Sequence, residues 1–278
     1  MPPTPVRAPS ELSRLFTPPT IITSTVVPRL CISLEALDKC GKTHWSLFTP
    51  PDPICLVTND TGTPHVLDKA IKAGRRIPHV MQLNYKSPDP AVTKTSEVDK
   101  TEWDEWKKAW RRFKAGIKAL EDDETIRTLV WDTATEIWNL CMLSHFGKLQ
   151  KISQNLRTEC NGDYSKVFFD LYKSRPDLNM ILIHKLKKEY KPNTKGDSDW
   201  TGKYESSGFN QTGFQVDLTL RADWDGVRKC LYTELNKPCR FGFDQVGKRW
   251  YGEESGFGWL GMEIFPETMS TPEIWGLG

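Results

Sequence analysis

The sequence lacks a long apolar run and carries almost no net charge. No apolar stretch approaches the ~20 residues that a membrane-spanning helix needs, and the N-terminus shows no secretory signal. We therefore expect a cytoplasmic protein that does not associate with membranes. A net charge of +2 also means that any nucleic-acid surface must be a local patch rather than a property of the whole molecule.

The sequence also lacks a regular cysteine pattern. Its seven cysteines are odd in number and irregularly spaced, which excludes a disulfide framework. Those in or beside apolar runs are typical of buried, reduced thiols: Cys31, Cys55, Cys141 and Cys230. No C-x-x-C pair stands at zinc-finger distance from histidines, so spacing along the chain predicts no structural zinc site.

What the sequence does contain is organised around the stretch Leu30–Thr43. A short apolar run is followed by a turn and then by Gly41-Lys42-Thr43, which opens an apolar, aromatic segment. Strand, loop, Gly-Lys-Thr and helix is the order of a phosphate-binding P-loop, in which backbone N–H groups surround the phosphates and the hydroxyl ligates Mg²⁺. The alternative is a chance Gly-Lys-Thr at a helix start. The predicted residues for ATP are Ala36, Leu37, Asp38, Lys39, Cys40, Gly41, Lys42, Thr43 and His44.

One position departs from the P-loop pattern. The pattern has glycine five residues before Gly41, where this chain has Ala36. Alanine does not readily adopt positive φ, so we expect the loop either to turn there in an ordinary conformation or to be strained. Hydrolysis is expected to suffer more than nucleotide binding.

Acidic residues follow two buried strands. The run Thr128–Asp132 predicts a strand whose final carboxylate, with Thr43, holds Mg²⁺ at the sheet edge where ligands bind. Asp60 follows the apolar run Ile54–Thr58 and either orients water or forms an Asx turn with the following glycine. Glu136 either holds the attacking water or is an early-turn acid favoured by the helix dipole.

Basic and aromatic residues alternate further along. The run Leu178–His184 predicts a strand ending at His184, which would either sense the γ-phosphate or be an ordinary hydrogen-bonding residue. Lysines interleaved with aromatic rings suit single-stranded DNA, because bases stack on rings while ammonium groups follow phosphates. The alternatives are a solvated loop or hairpin here, and a DNA site on the basic face of the predicted helix Thr101–Leu120. The DNA-binding hypothesis names Lys187, Lys188, Lys191, Lys195, Trp200, Lys203 and Tyr204.

Strands alternating with helices predict an α/β core with a mostly parallel sheet flanked by helices. Residues 1–27, with their prolines, are interpreted as a flexible arm, and residues 28–225 as the ATPase domain. Residues 226–278, rich in Gly and Trp, are expected to form a loosely structured, β-rich C-terminal extension.

At this point the chain resembles the phage RecA-like P-loop ATPases, which are associated with phage recombination and single-strand annealing. The resemblance rests on Ala36–Thr43, Leu129–Glu136 and Ile181–His184, the last followed by lysines. It implies a RecA-like, Mg²⁺-dependent ATPase that assembles as a ring or filament on single-stranded DNA, in the host cytoplasm, with a single-strand DNA-binding protein as a further partner. It also implies that Lys42 neutralises the phosphates, that Asp60 positions water, and that Lys185, Lys187 or Lys188 acts across a subunit boundary.

Two alternatives remain open. One is a replication-associated, helicase-like motor or loader. The other is a degenerate nucleotide-binding scaffold without turnover, which the alanine in the phosphate loop keeps in play.

Overall fold

The computed structural model describes residues 28–86, 98–149, 152–153, 155–192, 197–238 and 245–277. The predicted N-terminal arm, 1–27, and the proposed DNA contact Lys195 lie outside the described residues. Within those ranges, no helix is both long and apolar enough to cross a membrane.

A central β-sheet forms the middle layer of the molecule. Its strands occur along it in the order β3-β2-β4-β5-β1-β7-β8-β9, and β6 pairs with β5 alone. Neighbours from β3 through to β7 run parallel, while β8 and β9 continue the sheet antiparallel. The strands are β1 (Cys31–Ala36), β2 (Ile54–Thr58), β3 (His79–Gln82), β4 (Thr128–Asp132), β5 (Asn179–Pro192), β6 (Ser198–Ser206), β7 (Leu218–Asp225), β8 (Cys230–Pro238) and β9 (Arg249–Tyr251).

Helices cover both faces of this sheet, which confirms the expected α/β architecture. Strands β1, β2 and β4 are buried along their whole length, as their continuous apolar sequences require when both faces are covered. The helices are α1 (Lys42–Phe48), α2 (Thr63–Lys72), α3 (Lys100–Ala119), α4 (Ala134–Phe146), α5 (Arg157–Ser174), α6 (Thr212–Gln215) and α7 (Phe257–Ile264).

Two apolar clusters, one on each face, hold the layers together. On one face Trp110 and Phe113 of α3 pack with Trp131 of β4 and Tyr164 of α5. The aromatic side chains of α3 are therefore core. Each such side chain contributes on the order of 1.5–3 kcal/mol when fully buried, so the cluster fixes α3–α5 firmly against the sheet.

The C-terminal segment forms the other cluster and is not loosely structured. Phe257 and Leu260 of α7 are fully buried with Trp45 of α1, and Trp275 joins them at 0% exposure. The indole of Trp45 donates to the Ser255 carbonyl at 2.7 Å. Apolar side chains spaced by glycines thus pack closely here, in a sequence too irregular to show a helical or strand period. The division at residue 225 stays a prediction, although β8 extends the same sheet.

The expected strand end at His184 is wrong. Strand β5 continues to Pro192, and His184 lies in its interior, paired in register with Glu35. Beyond the main sheet, β5 pairs with β6 as an antiparallel hairpin, whose mostly exposed residues include Lys187, Lys188, Lys191 and Lys203. Pairing with β6 supplies the backbone partners that β5 loses where the main sheet stops.

Candidate nucleotide-binding site

The phosphate loop turns after Ala36, not at it. Ala36 is the last residue of β1, buried and paired in the sheet, and the described residue that takes positive φ before Gly41 is Lys39, at 64°. Gly41 adopts φ 79° immediately before α1, where an L side chain would be strained. The missing glycine therefore imposes no backbone strain, and the conformational argument for slow hydrolysis does not apply.

A cavity of about 780 Å³ opens over this loop at the carboxyl ends of the strands. It brings together the loop, the residues after β2, Glu136 and Lys185. The resemblance implies that Lys185 acts across a subunit boundary, whereas here it lines the cavity of its own chain. Of the predicted nucleotide, catalytic and metal residues in the described part of the chain, those that do not line it are Ala36, Leu37, Cys40, Asp132, His184 and Lys187. The lining residues are Asp38, Lys39, Gly41, Lys42, Thr43, His44, Asn59, Asp60, Thr61, Gly62, Val66, Thr133, Glu136 and Lys185.

Lys42 reaches back over its own loop. Its ammonium donates to the carbonyl oxygens of Ala36 at 3.2 Å and Leu37 at 2.5 Å. Burial lowers the pKa of Lys42, opposed by nearby acids of which Asp38 is the foremost. A phosphate entering the loop would add the negative charge that this half-satisfied ammonium lacks.

Asp132 is the most constrained acid of the site. Its Oδ2 accepts hydrogen bonds from the hydroxyls of Thr43 and Thr63, both at 2.9 Å. Its Oδ1 is buried and has no hydrogen-bond partner among the described residues. Burial raises the pKa of Asp132, against the lowering effect of the two hydroxyls. A hydroxyl and a carboxylate that keeps one oxygen without a hydrogen-bond partner are oxygen donors of the kind that Mg²⁺ prefers, so the predicted pair Thr43 and Asp132 fits that ion.

Thr63, which positions this carboxylate, was missed by sequence reasoning. It opens α2, is buried, and also accepts a hydrogen bond from the Thr58 hydroxyl at 3.0 Å. Its only sequence signal was a threonine shortly after an apolar strand, a common combination.

Asp60 lies at the rim of the cavity. Its Oδ1 accepts the Gly62 backbone N–H at 3.0 Å, which is the Asx turn that the sequence left open as an alternative. The residue is nevertheless exposed and lines the cavity, so the turn holds the carboxylate beside the phosphate loop.

Glu136 has partners on both carboxylate oxygens. Lys185 Nζ lies 2.6 Å from Oε1, while the Tyr85 hydroxyl donates to Oε2 at 2.9 Å. Burial acts to raise the pKa of Glu136, but the Lys185 ammonium and the hydrogen bonds from Tyr85 and Asn139 hold it below its usual value. Glu136 is therefore an anion paired within its own chain. No pattern in the sequence indicated Tyr85, because only the fold brings it to α4.

His184 lies behind this layer. It is fully buried, its Nδ1 is 3.2 Å from the Ser207 carbonyl, and burial lowers its pKa to about 4. The imidazole is thus neutral at physiological pH, and its hydrogen bond ties β5 to the end of the hairpin. Contact with a γ-phosphate stays a prediction.

The β5–β6 hairpin divides the predicted DNA residues between two faces, since successive strand residues point to opposite sides. On one face the Lys188 ammonium lies 4.9 Å from the centre of the Trp200 ring, and the Trp200 and Tyr204 rings are 6.2 Å apart. On the other, Lys187 pairs with Glu205 at 3.2 Å. Lys191 pairs with Glu189 at 3.3 Å. We call the set Lys188, Trp200 and Tyr204 the aromatic face of the hairpin.

A phosphate loop feeding a helix, with a hydroxyl and a buried carboxylate above one edge of a parallel sheet, is the arrangement of a P-loop nucleotide-binding domain. A family model described as an AAA domain (AAA_24) matches residues 30–250. The chain therefore belongs to this AAA domain family.

Solved structures with similar folds are distant in sequence. The RadB recombinase is 12% identical with a TM-score of 0.42, covering 81% of this chain and 89% of that chain. A KaiC-like protein of the hyperthermophilic archaeon Pyrococcus horikoshii is 13% identical with a TM-score of 0.41, covering 81% and 87%. No curated protein matches the sequence significantly.

Proposed function

We propose that this protein is a Mg²⁺-dependent ATPase that acts on single-stranded DNA in recombination, annealing or repair, assembled as a ring or filament. The observation that carries the ATPase proposal is the buried Asp132 carboxylate, held by Thr43 and Thr63 with one oxygen left open, directly beside the phosphate loop. A buried, partly unsatisfied carboxylate is costly for folding, which favours a functional reason for keeping it.

Residues in and beside the cavity would each contribute to phosphoryl transfer. Backbone N–H groups around Gly41 and the first turn of α1 bind phosphate oxygens, and Lys42 exchanges its loop carbonyls for the outer phosphates. Thr43 and Asp132 would hold Mg²⁺, which supplies charge neutralisation for the transferred group. Asp60 or Glu136 orients the attacking water at the cavity rim.

The DNA part of the proposal rests on the hairpin. Trp200 is about half exposed, and Lys188 and Tyr204 accompany it on the aromatic face. Exposed rings give bases a stacking surface, and the ammonium group offers a phosphate contact beside it. The proposal favours Lys188 over Lys187, whose charge Glu205 already offsets.

The ATPase proposal is tested by hydrolysis measured for the wild type and Lys42→Ala, each with and without single-stranded DNA. Turnover that rises with DNA and disappears in the variant is the expected result, because the variant loses the charge that neutralises the phosphates. ATP binding without turnover in either condition would refute the enzyme and favour the scaffold. Turnover that DNA does not change would refute only the coupling to DNA and would leave the ATPase proposal intact.

The DNA site is tested by Lys188→Ala and Trp200→Ala, with Lys187→Ala as the matched control on the opposite face. Lys188→Ala should weaken single-stranded DNA binding and reduce the slope of log K against log[salt] by about 0.7, the value for one lost phosphate contact. Trp200→Ala should cost about 1–3 kcal/mol for one stacked base without changing the slope. Equal effects of Lys187→Ala and Lys188→Ala would contradict the assignment to one face.

A further inference from the structure

A second cluster of ligand-type side chains lies between α4 and α5, on the far side of α4 from the nucleotide cavity. Cys141 and His145 are one helical turn apart on α4, and Cys160 comes from α5. The two sulfurs and a His145 ring nitrogen all lie within 4.8 Å of one another, and the sulfurs are 3.3 Å apart. The Met142 thioether, 3.6 Å from the Cys160 sulfur, adds a further soft donor.

We propose that Cys141, His145 and Cys160 form a binding site for a thiophilic metal ion, with Zn²⁺ as the expected occupant. Two sulfurs and an imidazole are a donor set that zinc prefers and that Mg²⁺ does not. Three converging protein ligands leave one coordination position open. The side chain of His145 is 19% exposed, so the ion has a route from solvent to thiols that are themselves fully buried.

Asp163 gives this site an outer layer. Its Oδ2 lies 3.1 Å from His145 Nε2, and it also accepts from Trp110 Nε1 at 2.7 Å and Lys114 Nζ at 2.9 Å. A carboxylate that holds one imidazole nitrogen fixes the ring and leaves Nδ1 as the coordinating atom. Asp163 therefore fixes the His145 ring through this contact, while the Lys114 ammonium balances the charge of the carboxylate.

Charge and protons balance when the ion enters. The two sulfurs, 3.3 Å apart and fully buried, are thiols whose protons an entering ion must displace. Binding Zn²⁺ forms two Zn–S bonds and releases both thiol protons to solvent, so the charge of the two thiolates balances that of the ion. The other charged groups that face it, Asp163 of α5 and Lys114 of α3, already neutralise each other. Metal affinity must therefore rise with pH.

Spacing along the chain could not show this site, and it predicted none. Cys141 and Cys160 are 19 positions apart, and only the packing of α5 against α4 brings them together. An ion there would tie the helix that begins after Asp132 to its neighbour. The proposal does not depend on the ATPase activity.

Cobalt substitution tests the site on the full-length, reduced protein. Co²⁺ added to the metal-free wild type should give, at one equivalent, a near-ultraviolet thiolate-to-cobalt charge-transfer band that Zn²⁺ displaces. Cys141→Ser and His145→Gln should abolish or strongly weaken the band. Asp163→Asn should lower metal affinity about 10–100-fold, as outer-layer partners typically do.

Cys40→Ser is the matched control, because that partly exposed thiol lies in the phosphate loop and is an alternative thiol source for such a band. It should leave the band unchanged. No band in the folded, reduced wild type would overturn the proposal, as would a band that survives Cys141→Ser but is lost in Cys40→Ser. His145→Gln keeps the test decisive if loss of a buried thiol impairs folding, since the side chain of His145 is partly exposed.

Discussion

Replacing Asp132 with Asn should separate the stability of this protein from its nucleotide binding. The wild-type carboxylate is 1% exposed, and only its Oδ2 is satisfied, by the hydroxyls of Thr43 and Thr63. Burying an ion costs several kcal/mol, which the two charge-assisted hydrogen bonds offset at about 1.5–3 kcal/mol each. Without a bound cation, the cost of burying the charge and the gain from the two hydrogen bonds therefore nearly cancel.

The Asp132→Asn substitution would change both sides of that balance. The carbonyl oxygen of the new amide can keep the two hydroxyl bonds in weaker, neutral form, while its NH₂ group occupies the position of the unpartnered Oδ1 and costs about 1–3 kcal/mol. Removing the buried charge offsets these losses. The free energy of unfolding without ligand should therefore stay within about 2 kcal/mol of the wild type.

The stabilisation that bound MgATP provides should respond differently to Asp132→Asn than the stability of the ligand-free protein does. MgATP at about 100 times its dissociation constant should stabilise the wild type by about 2.7 kcal/mol, and this gain should largely disappear in Asp132→Asn. Urea unfolding with and without MgATP measures both quantities, and Asp170→Asn on α5 is the control, because that carboxylate is exposed and does not line the nucleotide cavity. A drop above about 3 kcal/mol without ligand would refute the reasoning and make Asp132 a structural anchor.

The free energy of unfolding of Asp132→Asn should also depend on pH differently from that of the wild type. Burial raises the folded-state pKa of Asp132 above the unfolded value, so the folded state binds this proton more tightly. The stabilisation from the protonated form is present at low pH and is lost as pH rises from the unfolded to the folded pKa. Asp132→Asn lacks this loss, so its stability relative to the wild type should increase across that window and then level off. A difference that does not vary with pH would contradict the assigned shift.

Three further changes test other parts of the structure. Lys185→Met removes the ammonium that keeps the pKa of Glu136 low in the free enzyme, so if Glu136 is the base, the acid limb of the pH–kcat/KM profile should move to higher pH; an unmoved limb would exclude that role. Ala36→Gly should lower the free energy of unfolding by about 0.5–1 kcal/mol with unchanged kcat, because Ala36 is extended strand; faster turnover would restore the loop-defect hypothesis. Trp275→Ala should cost about 3–5 kcal/mol in urea unfolding, since the indole is fully buried, whereas a small loss would make the C-terminal segment dispensable.

The sequence was informative where local pattern and structure coincide. Apolar runs buried on both faces predicted β1, β2 and β4, and the residue after each run fell at the ligand edge as parallel topology requires. The P-loop order therefore located Thr43 and predicted Asp132 as its partner, and the two are in contact across 89 positions of sequence.

It was uninformative where a role depends on distant packing. Nothing near Tyr85 or Thr63 in sequence indicates that one bonds Glu136 and the other Asp132, because both contacts arise from neighbouring elements of the fold. The expectation that this strand ends at His184 is wrong for a related reason. A polar, basic continuation reads as a loop, but β6 supplies a partner that allows it to remain a strand.

The two acids at the cavity differ in what water activation would require of them. Glu136 has Lys185 on one oxygen and Tyr85 on the other, so it can accept a proton from water only if one of these partners withdraws. Asp60 is held by a backbone N–H in a turn and is exposed, so it needs no such change. Lys185 is itself at the cavity, 45% exposed, and pairs in register with Ala36 at the start of the phosphate loop. An incoming γ-phosphate is the anion most able to draw Lys185 from Glu136, which would make Glu136 available as a base only when the nucleotide is bound.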